Sequence, residues 1–551
     1  MDCYDVKEVG SGPIIAAICR QLKVRETANQ VLPWDDKQCL LDPGTHLVAL
    51  INNILSTRDP LYRVEEFYRE QDMELLFGPG VEADYFNDDA LGKTLDRIYK
   101  AGPKKFFSAV VAKAMIEEEI TYRILHADTT ARLVYGEYRE PQGLNITRGY
   151  NKEHRRDLKQ YKIGLVVNED GFPVIGDILD GNLDDKTWNK QLLSNLPEHF
   201  NLEELKKIIY VADSALVTED NLLAMGEKLK FISRLPETFS LAAFLIRKAF
   251  QNNDWLHLGR TAKGKKSADY QGQEFRAELH GQCYRFVVVH TDYLDKRKLK
   301  GLDSGLKKTR AALQKSAAKL MKPDFACRQD AEAALSAFLK EKKSDFYPLN
   351  GMVEEAFVTA KRTRRGRPRK DEQPVTRMVY RVRIQIGELE QEAYLEAKRM
   401  AQCFVLISNV DSGFSAYDLL KEYKQQSVVE NRFRFIKNPI YIGPIWLKKK
   451  GRLEAMCYVI LLALAVYIIL QQRVRKALLQ EEEPLAVTGK KKSFSPTGNK
   501  ILELFKPVKI VYIEEETGAK RFLPKRYLEL ERALKMIGFD LDIFVKPYCP
   551  A

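Results

Sequence analysis

Apolar positions recur at helical spacing through the first part of the chain. In residues 14–22 and 90–98 they return every three or four residues, which is the pattern of a helix with one buried face. We therefore predict a helical N-terminal domain over residues 1–115. Within it, Pro13–Leu22 and Glu26–Leu32 are joined by a short turn. A DNA-binding helix-turn-helix is one interpretation of this pair, and ordinary helix packing is the other.

From Thr121 the pattern changes to short β-prone runs that alternate with helical ones. The pair Asp170-Gly171 separates two such runs and favours the positive φ values of a tight hairpin turn. Three strands, a helix, a strand, a helix and a strand make an α/β order, which predicts the first part of a core over residues 116–235. The predicted elements are Tyr122–Ala127, Tyr161–Asn168, Phe172–Leu179, Lys186–Leu196, Ile208–Ala212, Thr218–Lys228 and Lys230–Ser233.

The α/β order is interrupted after Pro236. Charged amphipathic helices and isolated strands there predict an inserted domain of mixed α/β character over residues 236–400. A strand at Cys403–Ser408 and a helix over Ser415–Asn438 then resume the pattern. We predict that the core continues over residues 401–480 and that a C-terminal extension follows over residues 481–551.

Ala455–Leu470 is a run of sixteen uncharged residues. A helix that crosses a bilayer needs roughly 20 apolar residues. A helix buried in the core is therefore the preferred interpretation, a membrane span is the alternative, and we predict no membrane partner.

Charge indicates a polyanionic partner. Lys and Arg number 89 against 76 Asp and Glu, a net charge of +13, which favours an anionic polymer or surface over small neutral metabolites. The eight cysteines include no CxxC pair and no His partner at zinc spacing, so a disulfide scaffold and a structural zinc are not expected. Asp2, Asp5 and Glu8 do not fit a signal peptide, and we predict a cytoplasmic location.

Two acids each follow a predicted strand. Asp128 comes directly after Tyr122–Ala127, and Asp213 comes directly after Ile208–Ala212. Ligand sites in open α/β sheets are built at such strand ends. A single Asp there is more often a turn former or a helix cap, so each acid alone is weak evidence for a site.

A third acid lies on the predicted helix Ser415–Asn438. At about 100° per residue, Tyr423, Gln426, Glu430 and Lys437 share a polar stripe about 60° wide. Such a stripe fits a helix that faces an active site, and a solvated face is the other interpretation.

Three converging carboxylates without His or Cys ligands predict a site for Mg²⁺ or Mn²⁺. Two such ions held by Asp128, Asp213 and Glu430 activate a water or hydroxyl on one side of a phosphodiester and stabilise the leaving oxygen on the other. The predicted chemistry is phosphoryl transfer.

These residues also carry a family resemblance. Asp128, Asp213 and Glu430, with the spacing Tyr423-x2-Gln426-x3-Glu430-x6-Lys437, resemble the DDE transposases of bacterial insertion sequences. The superfamily is the one named for insertion sequence four, whose third acid lies in Y-(2)-R-(3)-E-(6)-K. Further segments resemble the group named for insertion sequence 1634: Asp128-Thr129-Thr130, Tyr135-Gly136-Glu137-Tyr138, Gly149-Tyr150-Asn151-Lys152, Asp157-Leu158-Lys159-Gln160, Gly171-Phe172-Pro173, Gly181-Asn182 and Ile209-Tyr210-Val211-Ala212-Asp213-Ser214.

The resemblance implies a ribonuclease H-like catalytic domain, interrupted by an insertion between Asp213 and Glu430, that cuts and joins the ends of a DNA element. It implies that Asp128 bridges two Mg²⁺ or Mn²⁺ ions, while Asp213 and Glu430 each complete the shell of one. The implied partners are double-stranded DNA, at the element ends and the target, and a second copy of the chain in a homodimer on that DNA. The implied location is the bacterial cytoplasm, at the nucleoid.

In the same resemblance Tyr423 and Lys437 hold phosphates and Gln426 assists them. Gln426 stands where the family has Arg, and an amide can hydrogen-bond a phosphate oxygen but cannot neutralise it. Gly443 also stands where an Arg is common, and the His expected near Ala455 is absent. A DNA-binding protein that has lost catalysis, and a metal-dependent nuclease without strand transfer, are therefore the alternatives.

Residues 361–370 hold seven basic residues in ten and include Arg365-Gly366-Arg367-Pro368. This segment resembles an AT-hook, whose arginines lie in an A·T-rich minor groove. We therefore predict DNA contact by Arg364, Arg365, Arg367 and Arg369, with a solvated linker as the other interpretation.

Overall fold

The computed structural model describes residues 4–261, 268–291, 296–359, 376–411, 413–437, 447–488, 491–515, 518–524 and 528–547. The chain divides into two compact units. Unit 1 comprises Met1–Arg234, Ser408–Phe414 and Lys421–Ala551, and unit 2 comprises Leu235–Ile407 and Ser415–Leu420. The basic segment 361–370 and Gly443 lie outside the described residues.

The described residues form nineteen α-helices and sixteen strands. The helices are α1 Gly12–Gln21, α2 Val24–Val31, α3 Pro43–Leu55, α4 Val64–Arg69, α5 Met73–Phe77, α6 Asp88–Ala101, α7 Pro103–Glu117, α8 Asp185–His199, α9 Leu202–Lys207, α10 Glu219–Met225, α11 Ser240–Asn252, α12 Lys296–Met321, α13 Arg328–Glu341, α14 Gln391–Gln402, α15 Ala416–Gln425, α16 Ser427–Lys437, α17 Lys450–Leu478, α18 Gly498–Phe505 and α19 Leu528–Ile537. The strands are β1 Tyr4–Glu8, β2 Ile124–Val134, β3 Lys159–Asn168, β4 Pro173–Leu179, β5 Ile209–Val211, β6 Lys230–Arg234, β7 Leu256–Arg260, β8 Asp269–Leu279, β9 Gln282–Thr291, β10 Leu349–Thr359, β11 Thr376–Ile386, β12 Cys403–Ser408, β13 Leu485–Thr488, β14 Lys491–Ser493, β15 Lys509–Glu515 and β16 Gly518–Phe522.

Unit 1 contains a mixed sheet in the order β4-β3-β2-β5-β6. β2, β3 and β4 pair antiparallel, whereas β5 is parallel to both β2 and β6. The predicted hairpin is confirmed, because β3 and β4 are joined through Asp170-Gly171 and Gly171 has φ of +79°. The chain is thus a mixed α/β protein, as the sequence predicts at that level.

Helix α17 lies at the centre of unit 1. It is long and apolar enough to cross a membrane by length and composition, yet 89% of its most apolar window is buried inside the protein. It packs against α1, α3, α6, α7, α16, α18, α19 and β4. The preferred interpretation of Ala455–Leu470 as a core helix is confirmed, and the helix extends beyond the uncharged run because its charged ends reach partners such as Asp96, which pairs with Arg452 at 2.7 Å.

A glycine on β4 and an ion pair near its C-terminal end fit α17 into this environment. A Cβ on Gly176 in β4 would lie 2.5 Å from Leu461, so strand and helix approach more closely than any larger residue allows. Near the other end of the helix, Arg473 pairs with Glu118 at 2.6 Å. The C-terminal extension also joins this unit, since β1, β15 and β16 form one sheet and Arg521 makes a buried pair with Asp72 at 2.6 Å.

The two helices for which a helix-turn-helix is one interpretation correspond to α1 and α2. Most of α1 is buried, and Asp42 contacts two side chains of α2. Arg25 donates to Asp42 at 2.8 Å, and Asn29 donates to it at 2.8 Å. Because Asp42 also caps α3 by accepting from the Thr45 N–H, one carboxylate joins α2 to α3.

In unit 2 four strands follow the order β12-β9-β8-β7, and β10 and β11 form a separate antiparallel hairpin. Helices α12 and α13 pack on that hairpin around a small apolar core. The core consists of Ala317, Ala331, Leu335, Phe338, Val382 and Ile384. Unit 2 includes the segment 236–400 that the sequence predicts as an insertion. The bounds of unit 2 come from the compactness of the fold, so the predicted domain bounds stay predictions.

The link between α2 and α3 gives a prediction about stability. Burial opposes ionisation of Asp42, but hydrogen bonds from Arg25, Asn29 and Thr45 outweigh it and hold the pKa of this carboxyl below its ordinary value. We expect Asp42→Ala to lower the free energy of unfolding by about 2–4 kcal/mol at pH 7, because it removes a helix cap and leaves a partly buried cation unpaired. Urea unfolding followed by circular dichroism measures this.

The effect has a definite pH dependence. A depressed pKa contributes stability that is present above the ordinary value near 3.9 and is lost as pH falls through the folded-state value. The difference between wild type and Asp42→Ala should therefore shrink below about pH 4. The exposed neighbour Asp36, changed to Ala, is the control and should show no such difference. A difference that persists unchanged at low pH contradicts the role of the Asp42 charge.

Candidate active site

Asp128 and Asp213 lie side by side on neighbouring parallel strands. β2 and β5 pair in the register Ile124↔Ile209, Leu125↔Tyr210 and His126↔Val211, and continuing it by two residues places Asp128 next to Asp213. Adjacent strands are about 4.8 Å apart. Asp213 still has an extended backbone, with φ −71° and ψ −178°, so the pleat continues to that position.

One part of the sequence interpretation was wrong here. Asp128 does not follow the end of its strand but lies within β2, which continues to Val134. The residues after Asp128 pair antiparallel with β3, from Thr129↔Gly164 to Val134↔Lys159, and this pairing prolongs the strand. Asp213 does follow its strand, two residues after Val211, where it caps a short 3-10 helix at Ser214–Leu216.

Both carboxyl groups are largely withdrawn from water. Burial, with a smaller contribution from the charge of Asp213, raises the pKa of Asp128 to about 7. Burial also raises the pKa of Asp213, and the charge of Asp185 adds to that shift. Two carboxylates in such a place repel each other unless a cation lies between them.

Each of these acids has one oxygen committed to the backbone. Asp128 accepts from the Thr129 N–H at 2.8 Å, and Asp213 accepts from the Ala215 N–H at 3.0 Å. The second oxygen of each carboxylate accepts no hydrogen bond from the residues that the structure describes. Two hard oxygen donors are therefore left over, which suits a divalent cation such as Mg²⁺.

The third predicted acid, Glu430, lies on a helix that begins just after a break in the chain's helical structure. The continuous helix predicted over Ser415–Asn438 was wrong, because α15 ends at Gln425 and α16 begins at Ser427. The amide of Gln426 turns toward the sheet, where Nε2 lies 3.4 Å from the backbone oxygen of Ala127. The break at Gln426 falls inside the predicted stripe, so Tyr423 lies on α15 and Glu430 lies on α16.

The break nevertheless places side chains of both helices near the acids. Burial raises the pKa of the Tyr423 phenol, and the negative charges of Asp213 and Glu430 add to that rise. Tyr423 therefore lies within electrostatic range of the second and third acids together. The Ala127 contact of Gln426 places the junction of α15 and α16 beside Asp128.

Glu430 lies on the first turn of α16 and is exposed. Within the described part of the chain, no group of three or more His, Cys, Asp and Glu side chains is already arranged to hold a metal ion. Asp128 and Asp213 thus form the close pair, and Glu430 lies nearby without completing a ligand set. The Lys437 side chain and the four arginines of 361–370 lie outside the described residues.

Two charged residues of this site were missed by the sequence analysis. Asp185, at the start of α8, accepts from the Thr129 hydroxyl at 2.6 Å and from Lys162 at 3.2 Å. Its negative charge raises the pKa of both Asp128 and Asp213, whereas the positive charge of Lys152 lowers both. The consecutive acids Asp184-Asp185 at a predicted helix start were a usable signal for the first, and the quoted segment Gly149–Lys152 contained the second.

A buried amide network positions Lys152. The Asn151 Nδ2 group donates to the Gln160 side chain at 3.1 Å, and the Gln160 Nε2 group donates to the backbone oxygen of Gly181 at 2.6 Å. A Cβ on Gly149 would lie 2.5 Å from Gln160 Nε2, and one on Gly181 would lie 2.0 Å from the Gln160 backbone oxygen. The glycines of these sequence segments are thus required by close backbone approach, and the segments form one structure beside the acids.

Comparisons with known proteins cover the chain unevenly. A family model described as "Domain of unknown function (DUF4277)" matches residues 4–112, which hold the N-terminal helices and none of the three acids. No curated protein sequence matches the chain. Among solved structures, the chain is similar to a piggyBac transposase in a cryo-EM synaptic complex with hairpin DNA, at 10% identity and a TM-score of 0.38, over 89% of this chain and 79% of that one.

Asp185 provides a test of the electrostatics. Its charge opposes ionisation of Asp128 and Asp213, so we expect Asp185→Asn to lower the pKa of both carboxyls. If the pair binds a divalent cation, Mn²⁺ binding should then persist to lower pH than in the wild type, which calorimetric titration at a series of pH values measures. Asp184→Asn is the matched control, because Asn caps a helix about as well as Asp. If the pH at which Mn²⁺ binding is half lost stays the same or rises in Asp185→Asn, the result contradicts the placement of Asp185 beside the two aspartates.

Proposed function

We propose that this chain is a DDE transposase of the superfamily named for insertion sequence four, in the group named for insertion sequence 1634. Its activity is the cutting and joining of the ends of a DNA element by phosphoryl transfer. The observation that carries this proposal is the pairing of Asp128 with Asp213 on neighbouring strands, beside the helix junction that precedes Glu430. The three acids that the resemblance assigns to catalysis all belong to unit 1.

The proposed catalytic domain is ribonuclease H-like and corresponds to the five-stranded part of unit 1. Two features support this assignment. The first two acids occupy adjacent strands of a mixed sheet, and a separate compact unit lies in sequence between Asp213 and Glu430. That position is where the resemblance expects the insertion.

The residues present fit the divalent cations that the resemblance implies. Asp128 and Asp213 offer free carboxylate oxygens in a buried place, and Glu430 lies on α16, where its charge acts on Tyr423 together with that of Asp213. Bound Mg²⁺ or Mn²⁺ would activate the attacking hydroxyl and stabilise the leaving oxygen of a phosphodiester. Asp128 is assigned to both ions, and Asp213 and Glu430 to one each.

The other side chains act on the substrate or on the position of the acids. The Tyr423 phenol is protonated at neutral pH and can donate a hydrogen bond to a phosphate oxygen. Lys152 supplies a positive charge near both aspartates and is suited to a phosphate next to the one that reacts. Gln426 contacts the strand that bears Asp128, so we assign it to positioning the helix junction and, with Lys437, to the phosphate contacts that the resemblance implies.

A basic face on α12 supports double-stranded DNA as the partner. Five exposed lysines on this helix make no ion pair within the described residues and fall within a sector of roughly 120° at 100° per residue. The face is about 28 Å long at 1.5 Å per residue, and the opposite side of the helix is buried through Leu306, Leu313 and Ala317. The five lysines are Lys300, Lys307, Lys308, Lys315 and Lys319. A row of cations of this length suits the phosphate backbone of a duplex, which carries one charge per about 1.7 Å.

The same proposal includes a homodimer on DNA and a location at the nucleoid. It also includes DNA contact by Arg364, Arg365, Arg367 and Arg369. Two element ends must be brought together for joining, and a dimer supplies two active sites for them.

The test of the proposed activity is strand cleavage by the purified protein. The substrate is labelled DNA that carries the ends of the element encoding the chain, with Mg²⁺ present. We expect wild-type protein to cut at the element ends and Asp213→Asn to lose cleavage while it still binds the DNA. Asp220→Asn, which removes an exposed carboxylate on α10 that pairs with Lys190, is the control and should cut normally.

The outcomes separate the alternatives. Undiminished cleavage by Asp213→Asn contradicts the assignment of the acids. DNA binding without cleavage, together with Mn²⁺ binding that does not depend on Asp128 and Asp213, identifies a DNA-binding protein that has lost catalysis. Cleavage without joined products identifies a nuclease.

The α12 face predicts the salt dependence of DNA binding. We expect the slope of log affinity against log salt to fall by about 0.9 for each phosphate contact removed. Lys308→Gln with Lys315→Gln should flatten it by up to about 1.8, as measured by fluorescence anisotropy with duplex DNA. The matched control changes two other exposed lysines of unit 2, Lys340 and Lys343, to Gln. Equal slopes for the two double variants would show that the face is merely solvated.

A further inference from the structure

We propose that a cavity on the other side of α16 from Glu430 is a phosphate-binding site. The cavity has a volume of 520 Å³ and is formed by the β3–β4 turn, α16, α17 and the start of α18, all in unit 1. At about 100° per residue, four of its α16 residues, Val428, Asn431, Arg432 and Phe435, lie roughly 100–160° around the helix axis from Glu430, and Arg434 lies roughly 40° from it. The cavity is therefore separate from the acidic site and has no assigned role in the proposed reaction.

Three guanidinium groups line this cavity without a carboxylate partner. Arg432, Arg434 and Arg475 make no ion pair within the described residues, although Glu169 and Asp170 also line the cavity. Arg432 donates to the backbone oxygens of Gly171 at 3.0 Å and Asp170 at 2.9 Å. These bonds hold the guanidinium in place, and the negative charge of Asp170 acts on Arg432 and Arg475 without a direct ion pair to either.

Arg475, on α17, is held in the same way. Its Nε group donates to the backbone oxygen of Pro496 at 2.9 Å, which leaves its terminal N–H groups for another acceptor. An arginine carries five N–H donors in a planar fork. Two arginines of one cavity, each fixed by backbone oxygens and each with donors to spare, form a preorganised receptor for an anion.

A buried amide provides an independent indication of a ligand. Gln471 lines the cavity and is only 2% exposed. Its side-chain oxygen accepts from the Gly498 N–H at 3.1 Å, whereas its Nε2 group has no hydrogen-bond acceptor. A buried donor without an acceptor is unfavourable, and an anionic oxygen bound in the cavity would remove that deficit.

The donors of the lining suit a tetrahedral oxyanion such as phosphate. They combine guanidinium forks with an amide N–H beside the carboxylates of Glu169 and Asp170, and the tetrahedral oxygens of a phosphate can accept from several directions at once. The volume exceeds that of a single phosphate, and Phe435 and Tyr467, whose ring centroids lie 4.8 Å apart, provide an apolar wall beside the charges. The site thus suits a phosphate that carries an organic group, either in a DNA backbone or in a small phosphate ester.

The test uses Arg475→Gln in the full-length protein, because Gln can still donate to the Pro496 oxygen and the fold should be kept. Isothermal titration with inorganic phosphate, at constant ionic strength against chloride, should show binding to the wild type that is about tenfold weaker in the variant. Lys476→Gln is the matched control, since it removes one positive charge from the next residue of α17 outside the cavity lining. Arg432→Gln is a second variant with the same expected loss.

Titration with duplex DNA distinguishes the two sources of the phosphate. If phosphate competes with DNA, and Arg475→Gln weakens DNA binding more than Lys476→Gln does, the site holds a backbone phosphate. If phosphate binds without competing, the site holds a small phosphate ester. The proposal is overturned if neither phosphate nor DNA affinity differs between Arg475→Gln and Lys476→Gln. Asp213→Asn should leave phosphate binding intact, so failure of this site is distinguishable from failure of the proposed catalysis.

Discussion

Unit 1 depends on the burial of one apolar helix. The side chains of α17 from Leu453 to Leu470 point in every direction around the helix, and nearly all are withdrawn from water. Fully burying one Val, Leu or Ile side chain is worth about 1.5–3 kcal/mol, so leaving any face of such a helix in water is strongly unfavourable. The N-terminal helices, the sheet and the C-terminal helices must therefore surround it. The same helix lines the arginine cavity and packs against α16, which bears Glu430.

The candidate active site depends on the burial of charged groups, whereas α17 depends on the burial of apolar ones. Asp128 and Asp213 are charged groups placed in an environment that raises the pKa of both. Such an arrangement is unfavourable for stability, and it persists because strand pairing sets the positions of both residues. Around them, the amides of Asn151 and Gln160 and the close approach at Gly181 fix the loop that carries Lys152. The candidate residues are thus held by strand pairing and by this amide network.

The sequence was most informative where local chemistry decides local structure. The Asp170-Gly171 turn and the two strands beside it could be predicted because the turn needs positive φ at Gly171. Asp213 could be placed after a short buried strand because the apolar run Ile208–Ala212 precedes it. The length of β2 and the break at Gln426 could not be predicted, because β2 is prolonged by pairing with β3 and the helix is interrupted where the Gln426 amide meets the sheet. Asp185 was missed because only folding brings α8 to Thr129.

By itself the sequence determined a mixed α/β protein with a basic balance, a buried apolar helix near its C-terminal side and three acids at family spacing. These properties follow from composition, periodicity and short motifs, which act over a few residues. Tertiary structure alone decided that Asp128 and Asp213 are neighbours, that Asp185 and Lys152 set their charge environment, and that Arg432 and Arg475 face one cavity. The physical reason is that strand register and helix packing join residues far apart in the chain, and no local pattern records which of them will meet.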